Sequence, residues 1–151
     1  MDDTLKINVT DKTVLAIDPA VKTPAGTAGA SAGGAGYKTD EAIAIELGKL
    51  LKEHKGGDVA LIDLRPLSIW TDFFIVTTVT SGAHLSGLQR HVNEFAHENK
   101  LPVLHGHKKL TLGNGWDICD LGFMVVHLMT EASRSFYELE NLWSGGLLLK
   151  L

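Results

Sequence analysis

One cysteine stands among the 151 residues, Cys119. A lone thiol forms no intrachain disulfide and builds no cysteine zinc site, and with no activating motif beside it a buried, inert thiol is expected. Long apolar runs are missing as well. None approaches the roughly 20 residues that a bilayer-spanning helix needs, so no membrane partner is expected. The N-terminus, Met1-Asp2-Asp3, lacks the basic and apolar regions of a signal peptide. The expected address is cytoplasmic. A basic excess is also absent: the formal charge is −4, and between Lys38 and Trp143 10 Lys and Arg face 14 Asp and Glu. A domain that grips DNA or RNA by its phosphates usually carries a basic stripe. Here the basic clusters are only Lys49-Lys52-Lys55 and Lys108-Lys109, both read as solvated surface. Direct nucleic-acid binding is thus disfavoured, and a basic protein partner stays open.

What is present divides unevenly along the chain. From Pro24 to Gly36 nearly every residue is Ala, Gly, Ser or Thr. Such side chains bury too little apolar surface to offset backbone ordering entropy, so residues 1–37 read as a disordered Ala/Gly-rich extension. Within it, Val14 to Ile17 is a weak strand-like run, and the first dozen residues are a lesser candidate for an edge strand. Asn8-Val9-Thr10 matches the glycosylation pattern by chance. Residues 38–143 hold the pattern of one folded domain, and 144–151 read as a short C-terminal tail.

The domain opens on a helix. Thr39 is placed to cap it, Asp40 and Glu41 suit its positive end, and Ile43, Leu47, Leu50 and Leu51 form one apolar stripe before Gly56-Gly57 stops it. Asp58 to Leu64 is a strand that Pro66 ends, and Phe73 to Val79 is a second. Thr80-Ser81 caps a helix bearing Leu85, Leu88, Val92 and Phe95, closed by Asn99 to Pro102. Val103 to His107 reads as a short strand, followed by a loop through Gly113-Asn114-Gly115. Trp116 to Met129 then reads as two strands joined at Leu121-Gly122. The second half is almost unbroken apolar sequence, as in a strand covered on both faces. In the first half Trp116, Ile118 and Asp120 share one side. An aromatic beside a carboxylate suits a recognition surface, and a core Trp at a sheet edge fits the spacing equally well. Thr130 caps a last helix with Phe136, Leu139 and Leu142. The expected fold is α+β, a mixed β-sheet of about five strands with flanking helices.

In this order these segments resemble the ribosomal silencing factors, also called the Iojap type. The resemblance is carried by Asp58 to Leu64, Ser68-Ile69-Trp70-Thr71-Asp72-Phe73-Phe74, Thr80-Ser81 with His84, Asp120-Leu121-Gly122 leading into Val125-Val126-His127, and Ser133 to Trp143. It spans residues 39 to 143. It implies a fold like a minimal nucleotidyltransferase core and a non-enzymatic factor that needs no cofactor. It also implies binding to the large ribosomal subunit through large-subunit ribosomal protein fourteen. Joining of the small subunit is thereby blocked when nutrients run short, and a homodimer is common. The resemblance places Trp116, Asp120, Leu121 and Gly122 at the partner. It makes Thr71, Asp72, Ser81, His84, His127 and Tyr137 signature residues with structural roles. Four positions depart from the family pattern. Val79 stands where a small residue is usual, Ala83 where Arg is common, and Gly115 and Phe123 where acidic residues are frequent.

Other chemistries fit less well. Nucleotidyl transfer needs clustered carboxylates to hold metal ions against phosphates, and Asp63, Asp72 and Asp120 are the candidates. Yet no Asp-x-Asp pair shares a strand face, Asp117 and Asp120 fall on opposite faces, and Ser81-Gly82 reverses the usual Gly-Ser order. His105 and His107 are spaced to ligate a metal together, but no third ligand is evident. His127, inside an apolar strand, reads as a core histidine with both ring nitrogens bonded internally. A generic protein-interaction or dimerisation module, without a ribosome, is the remaining alternative.

Overall fold

The computed structural model describes residues 38–104 and 115–151. Helix α1 spans Asp40–Glu53, and the Thr39 hydroxyl accepts the Ala42 N–H at 3.2 Å. Its buried face is Ala44, Leu47, Gly48 and Leu51, so Ile43 and Leu50 of the expected stripe are only partly covered. Gly48 is buried because Leu151 lies on it. A Cβ there would come 2.6 Å from the Leu151 side chain. Strand β1 runs Gly57–Asp63, and its Pro66 stop becomes a 3-10 turn over Arg65–Leu67. The Leu64 N–H bonds the Asp72 carbonyl at 2.7 Å and closes that connection. Strand β2, Phe73–Val79, follows, and then helix α2, Gly82–Glu98, capped by Ser81.

Strands β3 (Trp116–Asp120) and β4 (Met124–Thr130) form the expected pair, with Leu121 to Phe123 as the turn. The sheet order is β3-β4-β2-β1 with a fifth strand, β5 (Leu147–Leu149), beyond β1. β2 and β4 are parallel, while the other neighbours are antiparallel, which makes the sheet mixed. Six of the seven residues of β4 are buried, as its unbroken apolar sequence predicts.

Alternation along the central strands sorts the core into two halves. Phe73, Ile75, Met124, Val126 and Leu128 meet α1 and α2 on one face. Phe74, Val76, Val125 and Met129 face the other way, toward Leu139 and Trp143. That second face is covered by short pieces. The expected single helix after Thr130 is two, α3 (Glu131–Tyr137) and α4 (Leu139–Leu142), broken at Glu138 with φ +46°. The break turns Leu139 and Trp143 onto the sheet and leaves Phe136 and Leu142 exposed. Arg134 fastens the pair. It donates to the Gly57 carbonyl at 3.2 Å, to Thr78 Oγ1 at 3.0 Å and, through Nε, to Glu140 at 2.8 Å.

Two expectations about strands change. Val103 and Leu104 belong to no strand, and Leu104 N–H only bonds the Asp120 carbonyl. The rest of that expected strand, like the His105 and His107 pair and Lys108-Lys109, lies outside the described residues, as does the 1–37 extension. The fifth strand comes instead from residues read as a tail. Leu147 to Leu149 pair with Asp63 to Leu61.

Candidate functional site

The side of β3 that carries Trp116, Ile118 and Asp120 is the side of the second core half. Trp116 is half-buried and stands on a platform of rings: Tyr137 is 4.7 Å away between centroids and His127 5.7 Å. The indole N–H donates to His127 Nδ1 at 3.2 Å. His127 itself packs edge-on to Phe74 at 4.5 Å, and Phe136 lies at 5.0 Å from Tyr137. Neither of the alternatives for Trp116 holds alone, since its inner edge is core and its outer edge meets solvent. Ile118, two residues on, is 44% exposed, and Phe136 is 46% exposed. An apolar strand residue left this open beside aromatic neighbours suits a protein contact.

His127 is wholly buried, and burial pulls its pKa down to about 3, so the ring is neutral. With Nδ1 accepting from the indole, the proton sits on Nε2. The expectation that both ring nitrogens are bonded is therefore only half met, because Nε2 has no partner among the described residues.

The turn beside β3 is built by its own residues. Asp120 Oδ1 accepts the Gly122 N–H at 2.9 Å, and Gly122 adopts φ +87°, a region that favours glycine. Leu121 points to the opposite face and is fully buried in the first core half, so its side chain holds the turn from behind. Phe123 supplies a carbonyl to three donors: the Asp72 N–H, the Phe73 N–H and the Thr71 hydroxyl at 2.9 Å. Thr71 and Asp72 thus lock the β2 entry to this turn. Burial, then the nearby Asp40 charge, raises the Asp72 pKa above the usual carboxylate value.

At the other end of β2, Ser81 Oγ accepts the His84 N–H at 3.1 Å, and the His84 ring meets Thr80 at 3.2 Å. These two signature residues cap α2, while Trp116, His127 and Tyr137 form one cluster. The departures have packing reasons. A Cβ at Gly115 (φ +63°) would lie 2.4 Å from Ser133 Oγ, Val79 is buried, and Phe123 packs edge-on against Phe73 at 6.3 Å. Ala83 is exposed, and no packing reason for it is evident.

Of the three candidate carboxylates of an enzyme, Asp63 and Asp120 already have structural partners. Asp63 is held by Arg65 through both oxygens, at 2.9 and 2.6 Å, and this holds its pKa below the usual value. Asp120 serves the turn. Among the described residues no group of three or more His, Cys, Asp or Glu is placed to hold a metal ion. Cys119 is buried, and burial pushes its thiol up to about 12.

Comparison with known proteins places these features in a family. Residues 37–148 match the family model described as "Ribosomal silencing factor during starvation". The chain is 33% identical over 100 residues to ribosomal silencing factor RsfS of Treponema pallidum, covering 66% of this chain and 88% of that one. It is 31% identical over 110 residues to the chloroplastic protein Iojap of Arabidopsis thaliana, over 73% of this chain. It spans only 45% of that plant protein's length, and 46% of its maize counterpart. A crystal structure of a protein from Chromobacterium violaceum superposes with a TM-score of 0.57 at 30% identity, covering 72% of this chain and 86% of that one. Sequence, fold and relatives agree, and the chain belongs to the ribosomal silencing factor family of the Iojap type.

Proposed function

We propose that this chain silences ribosomes by binding the large subunit through large-subunit ribosomal protein fourteen and blocking the small subunit from joining. The observation that carries the reading is the half-exposed Trp116 on its Tyr137–His127 platform, with Ile118 open beside it on the same strand face. A buried aromatic anchor ringed by apolar contacts is where interface energy concentrates. Asp120 adds negative charge at the rim, suited to a basic partner, and Gly122 lets the turn approach closely. Leu121 contributes from the core side.

The chain acts as a regulator and not as an enzyme, because it works by occupying a surface. Two measurements test this. The chain should co-sediment with isolated large subunits and leave small subunits behind. Added before mixing, it should lower the yield of joined ribosomes on a sucrose gradient. Failure of both sinks the reading. A second copy is the rival occupant of the same face, and the homodimer expectation belongs here. If the free protein is a dimer through Ile118, binding to large subunits competes with it, and sedimentation equilibrium reads that competition. The cytosol is kept as the proposed address.

A further inference from the structure

Strand β5 closes the sheet, and no strand lies beyond it among the described residues. It is well anchored from within. Leu149 and Leu151 pack into the first core half, and Lys52 Nζ donates to the Leu151 carbonyl at 3.4 Å. Outwardly it is open: Leu147 is 56% exposed and Leu148 72%. An apolar edge strand without a cover is a template for another strand, and proteins normally blunt such edges with charge, proline or a covering segment. Only its three-residue length blunts β5, since Leu147, Leu148 and Leu149 supply neither charge nor proline.

The chain carries a matching segment. Leu5-Lys6-Ile7-Asn8-Val9 alternates apolar and polar residues, the pattern of a strand with one covered face. Its tether leads to the right place. The described chain begins at Lys38, next to the start of α1. There Glu41 meets Arg65 at 2.6 Å, and Arg65 meets Asp63, the residue paired with Leu147. A Gly-rich tether of 28 residues, the number from Thr10 to Tyr37, reaches about 30 Å on average, while a three-residue strand is about 10 Å long. A tether of this kind holds a segment at about millimolar effective concentration, enough for a weak strand pairing to form.

We propose that the outer edge of β5 is a docking site for the chain's own Leu5–Val9 segment, which adds a sixth strand to the sheet. The inference is independent of the ribosomal reading. Main-chain hydrogen bonds supply the pairing, and the apolar face of the segment covers Leu148, the more exposed leucine.

Amide hydrogen exchange followed residue by residue tests it on the full chain and on two full-length variants, Ile7→Asp and Leu148→Asp. Leu148 is exposed and Ile7 precedes the family-matched residues 37–148, so both variants should fold. In the parent, amides of Leu5–Val9 and of β5 should exchange about tenfold or more slowly than in either variant, independently of protein concentration. Exchange of Leu5–Val9 at the rate of a free peptide overturns the proposal. Protection of β5 that grows with protein concentration and survives Ile7→Asp also overturns it, because a second copy then covers the edge.

Discussion

His127 joins two properties that pull against each other, full burial and an ionisable ring. Its folded pKa of about 3 lies below the ordinary value of 6.5, so in acid the unfolded chain takes up the proton first. The stability it supports is complete above about pH 6.5 and is lost progressively toward pH 3, at no more than about 1.4 kcal/mol per pH unit. Urea unfolding at pH 7 and pH 5 should therefore differ by up to about 2 kcal/mol in the parent and clearly less in His127→Leu. Equal slopes would contradict the buried neutral ring. Asp63 runs on a different scale. Its carboxylate is held low by Arg65, so its contribution is present at neutral pH and fades only as pH falls through that lowered value. Because Arg65 is nearly half exposed, solvent screens the pair, and Asp63→Asn should cost only about 1 kcal/mol at pH 7. A gap that does not close in strong acid would show that packing, and not charge, is lost.

At the level of elements, the two faces of the sheet are covered by different means. Long amphipathic helices α1 and α2 cover one, while the other depends on α3 and α4, of seven and four residues. Short helices have little stability of their own, so their attachment decides whether that face stays covered. Arg134 is the attachment. Arg134→Ala should cost about 2–3 kcal/mol, since it removes the charge-assisted bonds to Glu140 and the bonds to Thr78 and the Gly57 carbonyl. Thermal melting followed by Trp fluorescence reads it, and an unchanged midpoint would show that Leu139 and Trp143 suffice.

Much of this was legible beforehand, for local reasons. Thr39, Ser81 and Thr130 all cap as their positions predict, and β2 has the limits its aromatic and β-branched residues set. Elements fixed by distant contacts were not legible. Val103 and Leu104 have strand-like composition but, among the described residues, only one backbone bond toward β3, while Leu147 to Leu149 look like a tail until β1 lies beside them. The resemblance singled out Trp116, His127 and Tyr137 one by one, without bringing them together. The Trp116–His127 hydrogen bond was not foreseen, because nothing local links residues 11 apart on two strands.

Among the described residues, the sheet has one face covered by long helices, another covered by short ones, and an apolar β5 edge. The family resemblance implies a fold like a minimal nucleotidyltransferase core, and that expectation raises the enzyme question. Asp63 is spent on Arg65 and Asp120 on the β3–β4 turn. Incubation with each nucleoside triphosphate and magnesium or manganese should thus release no pyrophosphate, and turnover abolished by Asp72→Asn would overturn that. The central claim is that the Trp116–Ile118 strand face is the ribosome contact. Trp116→Ala removes packing as well as contact, so its loss of binding mixes the two effects. Ile118 is free of that ambiguity, because its exposed side chain leaves the core untouched when changed. The decisive measurement is co-sedimentation of Ile118→Asp with large ribosomal subunits, beside its circular-dichroism melt. The account predicts an unchanged melt and binding weakened about 30-fold or more, the loss expected when a charge is forced into a contact centre at about 2 kcal/mol. Parental affinity in a folded Ile118→Asp chain would contradict it.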